Sequence, residues 1–325
     1  MLEKKSVCAV LVTYNRQKCL EKVNFGLKNQ THSIDRIFIF DNASTDNTEE
    51  YLETIGFKMI ENEKQIKMLT SDDHFVVFKN QENLGGSGGF SNAIRLATLF
   101  SYDYMWIMDD DVYPEPDCLQ TMLDTMATAK TDASIPNRTD ENYSDNVVTG
   151  IDFKNFLKYT PYSRKEIMQG PVIKDYYYVV DMAFEGPLIK TDLVRKIGAP
   201  DDGFFLEYDD SDYAQRIQKY SRIAFVSKAR LHRQLAKKGD TTFKFKGRKD
   251  QYNWRTYYTL RNNIIFDRRY GQNWMVKHIS PRLLFIHKYV KSIKDGMGKN
   301  NIPILKKAYS DGMHGRMGKR IDPGY

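Results

Sequence analysis

Short apolar runs alternate with amphipathic segments in the N-terminal third of the chain, and this alternation constrains the fold most. Ser6 to Val12 and Ile34 to Phe40 are nearly continuous in apolar residues, which is typical of buried strands. Apolar residues at helical spacing predict helices from Gln17 to Asn29 and from Thr48 to Ile55. Strands and helices that alternate at this spacing build a right-handed parallel α/β sheet.

The same pattern continues with interruptions as far as Arg233. Further strands or sheet-like segments are predicted at His74 to Phe78, Tyr104 to Met108, Tyr176 to Ile189 and Arg222 to Val226. Further helices are predicted near Ser91 to Phe100, Asp117 to Ala129, Asp209 to Lys219, Tyr252 to Phe266 and Trp274 to Lys294. Lys58 to Asp73 is charged and weakly periodic, so we interpret it as an irregular surface excursion.

Charge is distributed unevenly along the 325 residues, whose net charge is +7. Residues 246–325 contain 18 Lys and Arg against 5 Asp and Glu, whereas the preceding part contains 31 against 37. A near-neutral body with a basic tail indicates a polyanionic partner, either anionic lipid headgroups or nucleic acid. We therefore predict an α/β domain over residues 1–245 and a helical, basic region over residues 246–325.

Three scattered cysteines and the absence of a targeting pattern indicate a reducing compartment. Cys8, Cys19 and Cys118 form neither a CxxC pair nor an even framework. Val7 to Val12 is too short for the apolar core of a signal peptide, and no run approaches the ~18 apolar residues of a membrane span. We expect a protein that faces the cytoplasm.

Three consecutive aspartates, Asp109, Asp110 and Asp111, follow the apolar strand that ends at Met108. They stand at the carboxyl edge of the predicted sheet, where open α/β folds bind ligands. Adjacent carboxylates repel each other and are hard to keep ionised without a counter-ion. Asp109 and Asp111 can both reach one divalent cation, which prefers oxygen ligands and would bridge diphosphate oxygens. The sequence thus predicts a site for Mn²⁺ or Mg²⁺, with an acidic loop or helix cap as the structural alternative.

Other segments carry residue types suited to the same site. The run Gly85 to Gly89 lies between a predicted strand and helix, where bare backbone N–H groups can approach an anion or a ribose. Asp209 and Asp210 open a predicted helix after an aromatic segment, so one can cap the helix while desolvation prepares the other as a general base. His232 is a candidate third metal ligand, although a lone His is more often structural.

Together these motifs resemble the family 2 glycosyltransferases, which have the GT-A fold, over roughly two thirds of the chain. Val10 to Arg16 is similar to the family's opening strand and nucleotide-pocket loop, and Asp41 to Asp46 to its second-strand motif, whose first Asp contacts uracil. Asp109 and Asp111 match the metal-binding DxD positions. Glu207 to Asp210 is similar to the motif whose second Asp is the catalytic base of inverting members.

Within the family, Asn83 to Phe90 followed by the three aspartates most resembles bacterial galactofuranosyltransferases, in which a downstream His completes the metal site. The resemblance implies Asp210 as the catalytic base and Asp109, Asp111 and His232 as metal ligands. Contacts to the donor are predicted for Thr13, Tyr14, Arg16, Asp41, Asn83, Gly85, Gly86 and Asp110. Contacts to the substrate are predicted for Glu185, Tyr208 and Asp209.

The resemblance also implies an activity and a location. We expect transfer of one sugar, best galactofuranose from UDP-galactofuranose, with inversion, onto a saccharide acceptor linked to a polyprenyl diphosphate in bacterial surface polysaccharide synthesis. The chain lacks the extra N-terminal and large C-terminal domains of the polymerising members, which favours a single addition. The basic tail is expected to face an anionic membrane, peripherally at the inner face of the cell membrane. A homo-oligomer is left open.

Three alternatives stay open from the residues. Rhamnosyltransferases and other hexosyltransferases of the same family share much of the pattern. A sugar-nucleotide pyrophosphorylase has a related sheet but needs a GxGxRLxP-like opening that Leu11 to Lys18 lacks. A nucleic-acid-binding protein would explain the charge and aromatics of the tail, but not the acidic centre of the body, so no nucleic acid is expected.

Overall fold

A mixed sheet of eleven strands forms the centre of the protein. The computed structural model describes residues 5–55, 58–63, 66–70, 75–235 and 251–322, and side chains in these ranges outside residues 56–78. The elements up to the acidic motif are β1 (Val7–Thr13), α1 (Gln17–Lys28), β2 (Arg36–Asp41), α2 (Thr48–Thr54), β3 (Lys58–Glu63), β4 (Ile66–Thr70), β5 (Phe75–Asn80), α3 (Gly85–Ala97) and β6 (Tyr104–Asp109). The predicted strands and helices of this region are thus present within a few residues of their expected bounds.

The remaining elements complete the sheet and add a helical C-terminal region. They are β7 (Val112–Pro114), α4 (Cys118–Ala129), β8 (Ala133–Asn137), β9 (Val148–Ile151), β10 (Lys165–Ile167), β11 (Tyr176–Val179), β12 (Leu188–Lys190), α5 (Thr191–Ile197), a 3₁₀ helix (Asp202–Phe204), α6 (Asp209–Ile217), β13 (Ile223–Arg233), α7 (Trp254–Tyr270), α8 (Trp274–Lys294) and α9 (Gly298–Met313). Strands β9 and β10 form a separate two-stranded sheet.

The strand order in the main sheet is β11-β13-β8-β12-β6-β1-β2-β5-β4-β3, with β7 paired to β13. Strands β6, β1, β2 and β5 are parallel, as the alternating pattern predicts. The sheet as a whole is mixed, because β12 runs antiparallel to both β6 and β8. Short strands such as β12 carry too few residues for periodicity to reveal their direction.

Two local predictions are also corrected by the structure. Lys58 to Asp73 was expected to be irregular, but it contains the antiparallel pair β3 and β4, which extends the sheet beyond β5. Charged residues are common in strands at a sheet edge, so the composition concealed them. The glycine run was expected to be a loop before a helix at Ser91, yet Gly85 begins α3 itself.

Helices cover both faces of the sheet and enclose two hydrophobic cores. Side chains of β1 alternate between them: Val10 and Val12 pack beside α3, whereas Ala9 and Leu11 pack beside α1 and α4. This alternation follows from the two-residue period of a strand, and it explains why β1 is apolar throughout. The core therefore fixes the ends of β1, β2 and β6, from which the polar loops emerge.

The C-terminal helices α7, α8 and α9 contact each other pairwise and pack on the α/β body. Asn253 accepts a hydrogen bond from the Thr256 backbone and begins α7 with a capping box. Helix α9 was not predicted, since Gly298 and Pro303 interrupt its pattern. Among the described residues, none of the helices is both long and apolar enough to cross a membrane.

Candidate active site

Polar residues from three parallel strands meet at one edge of the sheet. Thr13 at the end of β1 is in register with Asp41 at the end of β2. On the other side, Val12 is in register with Asp109 at the end of β6. Because the strands are parallel, the predicted nucleotide loops and the predicted metal motif open from the same edge.

The three aspartates form a compact cluster. One carboxylate oxygen from each of Asp109, Asp110 and Asp111 lies within 4.8 Å of the others, and no other group of three possible metal ligands occurs in the described part of the chain. Burial raises the pKa of all three carboxyls, and for Asp109 the charges of its two neighbours add to the effect. Positive charge nearby therefore favours the ionised form of the cluster.

Arg16 supplies part of that charge from the loop after β1. Its Nη1 lies 2.9 Å from Asp110 Oδ1 and 3.1 Å from Asp111 Oδ2. Asp110 also accepts hydrogen bonds from Thr13 Oγ1 at 2.9 Å and from the Tyr14 backbone at 3.2 Å. Asp110 is thus committed to the loop after β1, while Asp111 Oδ1 is buried without a hydrogen-bond partner among the described residues.

The structure does not bring His232 into this cluster. Its Nδ1 lies 2.8 Å from Asp140 Oδ2, its Nε2 lies 3.0 Å from Glu115 Oε1, and its ring stacks on Tyr113. It stands close by in the sheet, because β13 pairs with β7 directly after Asp111. A metal-ligand role for His232 requires the ring to leave one of these carboxylates, and it stays a prediction.

The sheet edge at which Thr13, Asp41 and Asp109 lie is called the nucleotide edge below. The loop after β2 joins this edge to the start of α3. Asp41 Oδ1 accepts the Ser44 N–H at 2.8 Å, whereas its Oδ2 is buried with no hydrogen-bond partner in the described structure, and burial raises the pKa of this carboxyl. Asn42, which the sequence analysis missed, donates to the Gly85 carbonyl at 3.0 Å and to Asn83 Oδ1 at 3.2 Å. It also accepts the Leu84 N–H at 3.0 Å.

Glycines let the start of α3 approach two backbones closely. A Cβ at Gly85, whose φ is +73°, would lie 2.3 Å from the Phe205 carbonyl oxygen, and one at Gly89 would lie 2.7 Å from Val12 Cγ1. The Ser87 N–H donates to the same Phe205 carbonyl at 3.3 Å. Gly86 has open space beside it. Helix α3 therefore joins the nucleotide edge to the segment Phe205–Asp210.

That segment has an unusual backbone. Phe205, Glu207 and Tyr208 have φ values of 65°, 62° and 70°, a region that side-chain-bearing residues seldom adopt. Helix α6 begins directly afterwards, with Asp209 and Asp210 in its first turn. Such conformations cost about 1–3 kcal/mol each and persist only where the surroundings enforce them.

Asp209 and Asp210 are an adjacent carboxylate pair, in which Asp209 is buried and Asp210 is half-buried. Burial raises the pKa of Asp209 to about 6, and burial together with the charge of Asp209 raises that of Asp210 to about 8. Lys165 opposes the shift of Asp210. Lys165 Nζ forms an ion pair with Asp181 and donates to Ser211 Oγ at 3.0 Å. Neither Lys165 nor Asp181 was among the residues predicted for the site.

The other two residues of the motif are held by the C-terminal helices. The Tyr208 hydroxyl donates to Asn263 Oδ1 at 2.9 Å, and its buried ring stacks on Tyr162 at 5.3 Å. Glu207 Oε2 accepts from Tyr162 Oη at 2.7 Å and from Thr259 Oγ1 at 2.8 Å. The structure therefore places Tyr208, predicted to contact substrate, in a packed interface.

Two buried residues of α7 contact the main chain of this segment. Asn262 Nδ2 lies 3.1 Å from the Phe204 carbonyl, 2.6 Å from that of Leu206 and 3.0 Å from that of Glu207. Arg261 donates to the Phe204 carbonyl at 2.6 Å and to the Gly203 carbonyl at 3.1 Å. Neither was predicted for the site, because the run Arg-Asn-Asn in a helix is typical of a solvated face.

Glu185 and its neighbours link β6, which carries the acidic cluster, to helices α3 and α6. Glu185 Oε2 pairs with Arg138 at 2.7 Å and Arg233 at 3.1 Å, and its charge raises the pKa of Asp109 and Asp111. The Gly186 N–H donates to the Ile107 carbonyl in β6. Phe184 contacts Phe90 of α3 and Tyr213 of α6. Contacts to a substrate from Glu185 stay a prediction.

Comparisons with known proteins agree with this arrangement. The family model for glycosyl transferase family 2 matches residues 8–182, a little over half of the chain. The galactofuranosyltransferase GlfT1 of Mycolicibacterium smegmatis (strain ATCC 700084 / mc(2)155) is 23% identical over 224 residues, which cover 67% of each protein.

Two solved structures show the fold. GalNAc-T7 with UDP, GalNAc and Mn²⁺ matches 97% of this chain and 57% of its own, at a TM-score of 0.60 and 12% identity. The mannosyltransferase PcManGT from Pyrobaculum calidifontis with GDP-Man and Mn²⁺ matches 97% of this chain and 89% of its own, at a TM-score of 0.53 and 14% identity. Across such matches the chain spans from 42% to 89% of the solved protein. The predicted GT-A fold with a helical C-terminal region is confirmed.

Proposed function

The chain belongs to glycosyl transferase family 2, and we propose that it is an inverting, metal-dependent enzyme that transfers one sugar from a nucleotide-diphosphate sugar to a saccharide acceptor. One observation carries this proposal. A cluster of three aspartates at the end of β6 and a separate aspartate pair at the start of α6 are linked through α3 and the Phe184–Gly186 segment. Such an arrangement can hold a diphosphate and activate a hydroxyl group.

The acidic cluster fits a divalent cation. Asp109 and Asp111 would hold it, since Asp111 Oδ1 is buried with no hydrogen-bond partner among the described residues and Asp110 already contacts Thr13 and Arg16. When bound, Mn²⁺ or Mg²⁺ neutralises the charge that develops on a diphosphate leaving group. His232 would join the ligands if it leaves Asp140 or Glu115. Arg16 would then contact a donor phosphate as well as Asp110.

The donor nucleotide would lie against the loops after β1 and β2. The unpartnered Asp41 Oδ2 is an acceptor suited to the N3–H of uracil. Thr13 and Tyr14 border the same pocket through their contacts with Asp110. Asn83, Gly85 and Gly86 open the helix that leads toward Phe205, where they would contact ribose or the donor sugar.

The displacement would proceed in one step at the anomeric carbon. Asp210 would remove the proton from the acceptor hydroxyl as the hydroxyl oxygen attacks the anomeric carbon from the side opposite the nucleotide. The bond from that carbon to the diphosphate oxygen breaks, the nucleoside diphosphate leaves, and the configuration inverts. The ionised form of Asp210 is favoured by Lys165 and disfavoured by burial and by Asp209. Asp209 and Glu185 would orient the acceptor or the donor sugar beside it.

The donor and the acceptor are the finer part of the proposal. Galactofuranose from UDP-galactofuranose is supported by the similarity to a galactofuranosyltransferase, and a rhamnosyl or another hexosyl donor is the alternative within the family. A saccharide linked to a polyprenyl diphosphate is supported by the basic C-terminal region, which would face an anionic membrane.

A donor panel tests the proposal. The protein is incubated with Mn²⁺, a saccharide acceptor and, in turn, UDP-galactofuranose, UDP-galactopyranose, UDP-glucose or dTDP-rhamnose, and nucleotide release and product are measured. We expect turnover with UDP-galactofuranose and an inverted anomeric configuration by NMR, both absent in Asp210→Asn. A retained configuration would remove Asp210 from its role, and turnover with another donor only would overturn the galactofuranose assignment.

A further inference from the structure

Helix α8 exposes a stripe of apolar side chains on the side opposite its packed face. Ile286 and Ile293 are 57% and 54% exposed, and Met275 and Val290 lie on the same face at helical spacing. Trp274, 62% exposed, flanks the stripe at the start of the helix. The opposite face is buried through Val276, Ser280 and Leu284. Contiguous exposed apolar residues of this kind mark an interaction surface.

Positive charge surrounds this stripe. From Trp274 to Met313 the chain has eight Lys and Arg residues against two Asp. Both aspartates are already compensated, since Asp295 pairs with Lys291 at 3.5 Å and Asp311 is buried and accepts a hydrogen bond from Tyr257 at 2.7 Å. The exposed lysines include Lys294, Lys299 and Lys306.

The C-terminal end of the stripe adjoins the start of α9, because Ile293 Cγ1 lies 3.7 Å from where a Cβ would stand at Gly298, next to Lys299. Helices α7, α8 and α9 contact one another pairwise, so the outward faces of α8 and α9 turn away from α7. Helix α7 in turn contacts the Phe205–Asp210 segment through Asn262. The exposed surface is thus separated from the candidate catalytic segment by one helix.

We propose that the outward face of α8 and α9 binds an anionic lipid bilayer peripherally. The apolar stripe would enter the boundary between headgroups and acyl chains, and the lysines would contact anionic headgroups. A second copy of the chain would also cover the stripe, but it would bring like charges together, which disfavours it. Such binding would bring the protein to the lipid-linked acceptor of the proposed function, on which this part of the proposal rests. Binding to lipid does not itself depend on the activity.

Vesicle co-sedimentation tests the surface directly. Wild-type protein is mixed with vesicles of phosphatidylcholine containing phosphatidylglycerol, or of phosphatidylcholine alone, at low and high salt. We compare it with the double variant Ile286→Gln/Val290→Gln and with the matched control Phe25→Gln/Leu99→Gln. Phe25 of α1 is 70% exposed, and Leu99 in the turn after α3 is 76% exposed. Transfer to a water-soluble acceptor is measured for each protein.

The expected result is salt-sensitive binding to the anionic vesicles, reduced at least about tenfold in the α8 variant and unchanged in the control. Transfer to the soluble acceptor should be equal in all three, which separates the surface from the catalytic proposal. Equal binding of wild type and the α8 variant, or no binding by wild type, would overturn the proposal. So would a wild-type dimer that the α8 substitutions convert to a monomer.

A second inference stands on different contacts and rests on the proposed function. We infer that Asn262 is a positioning residue for the catalytic segment, because its amide nitrogen, with two N–H donors, lies within hydrogen-bond distance of three carbonyl oxygens around three residues with positive φ. Asn262 is fully buried, so water cannot replace these hydrogen bonds. Its loss would release Phe205–Asp210 from the backbone conformation that sets the direction of Asp210.

The test separates positioning from folding. Asn262→Ala is compared with Asn301→Ala, another buried asparagine, which instead links Tyr252 and Ser292 away from the site. We expect kcat to fall about a hundredfold in Asn262→Ala with little change in the donor KM, and near-normal kcat in Asn301→Ala at a similar Tm. Should Asn262→Ala not fold, Arg261→Lys, which keeps the charge, should show the same kcat loss. Equal kcat in the Asn262 and Asn301 variants, or an unimpaired Arg261→Lys where that variant is needed, would overturn the inference.

Discussion

The pH dependence of turnover follows from the environment of Asp210. A general base acts only when it is ionised, and burial with the charge of Asp209 raises the pKa of Asp210 to about 8. At pH 7 about one tenth of the molecules would then be ionised at this position, and at pH 6 about one hundredth. The rate should therefore rise about tenfold from pH 6 to pH 7 and level off near pH 9.

A charge change at the neighbouring residue shifts the rising limb of this pH-rate profile in a defined direction. Asp209→Asn removes the negative charge that raises the pKa of Asp210, so the rising limb should move to lower pH. The maximal rate can fall as well, because Asp209 is itself a candidate substrate contact, but only the position of the limb tests the coupling.

The assay is kcat against pH from 6 to 9 with saturating donor and Mg²⁺. Binding of UDP over the same range is the control for donor affinity, and circular dichroism is the control for folding. A flat profile in wild type would refute the assignment of Asp210 as the base. A limb that moves to higher pH in Asp209→Asn would refute the electrostatic account of its pKa.

Three further predictions concern single residues. Asp210→Asn should leave UDP affinity nearly unchanged by calorimetry and lower kcat by about 10²–10⁴-fold, and near-normal turnover would contradict its role. Asp109→Asn should weaken UDP binding in the presence of Mn²⁺ while leaving metal-free binding unchanged; an equal loss without metal would argue against a metal site. Arg164→Met should lower the free energy of unfolding in urea by about 3–5 kcal/mol, because it leaves Asp267 buried without its partner, whose Nε lies at 2.6 Å. A loss below about 1 kcal/mol would show that this buried pair is not needed for stability.

Local patterns predicted the N-terminal half of the fold well. Strands β1, β2 and β6 are apolar on both faces, and the helices between them have apolar residues at the expected spacing. The carboxyl edge of these strands follows from their direction, so the neighbourhood of Thr13, Asp41 and Asp109 was predictable from sequence. Strand β3 was not predicted, and neither was the antiparallel direction of β12. The position of a short or charged strand depends on the strands with which it pairs, and its own sequence carries little signal.

The parts of the site that depend on tertiary contacts could not be predicted in this way. The φ values of Glu207 and Tyr208 are positive although neither residue is Gly, and no sequence pattern indicates them. The polar side chains of Arg261 and Asn262 look like a solvated helix face but are buried. The sequence predicted that His232 lies near the metal motif. It did not predict that Glu115 and Asp140 contact the two nitrogens of its ring.

The hydrogen bonds from α7 bear on protein engineering. The conformation of Phe205–Asp210 is held by groups more than fifty positions further along the chain, such as Asn262. The segment therefore cannot be exchanged alone. A chimera that takes it from a relative would have the relative's sequence there without the backbone conformation that α7 maintains. An exchange of acceptor specificity would have to carry Trp254–Tyr270 along with it as a second, matched fragment.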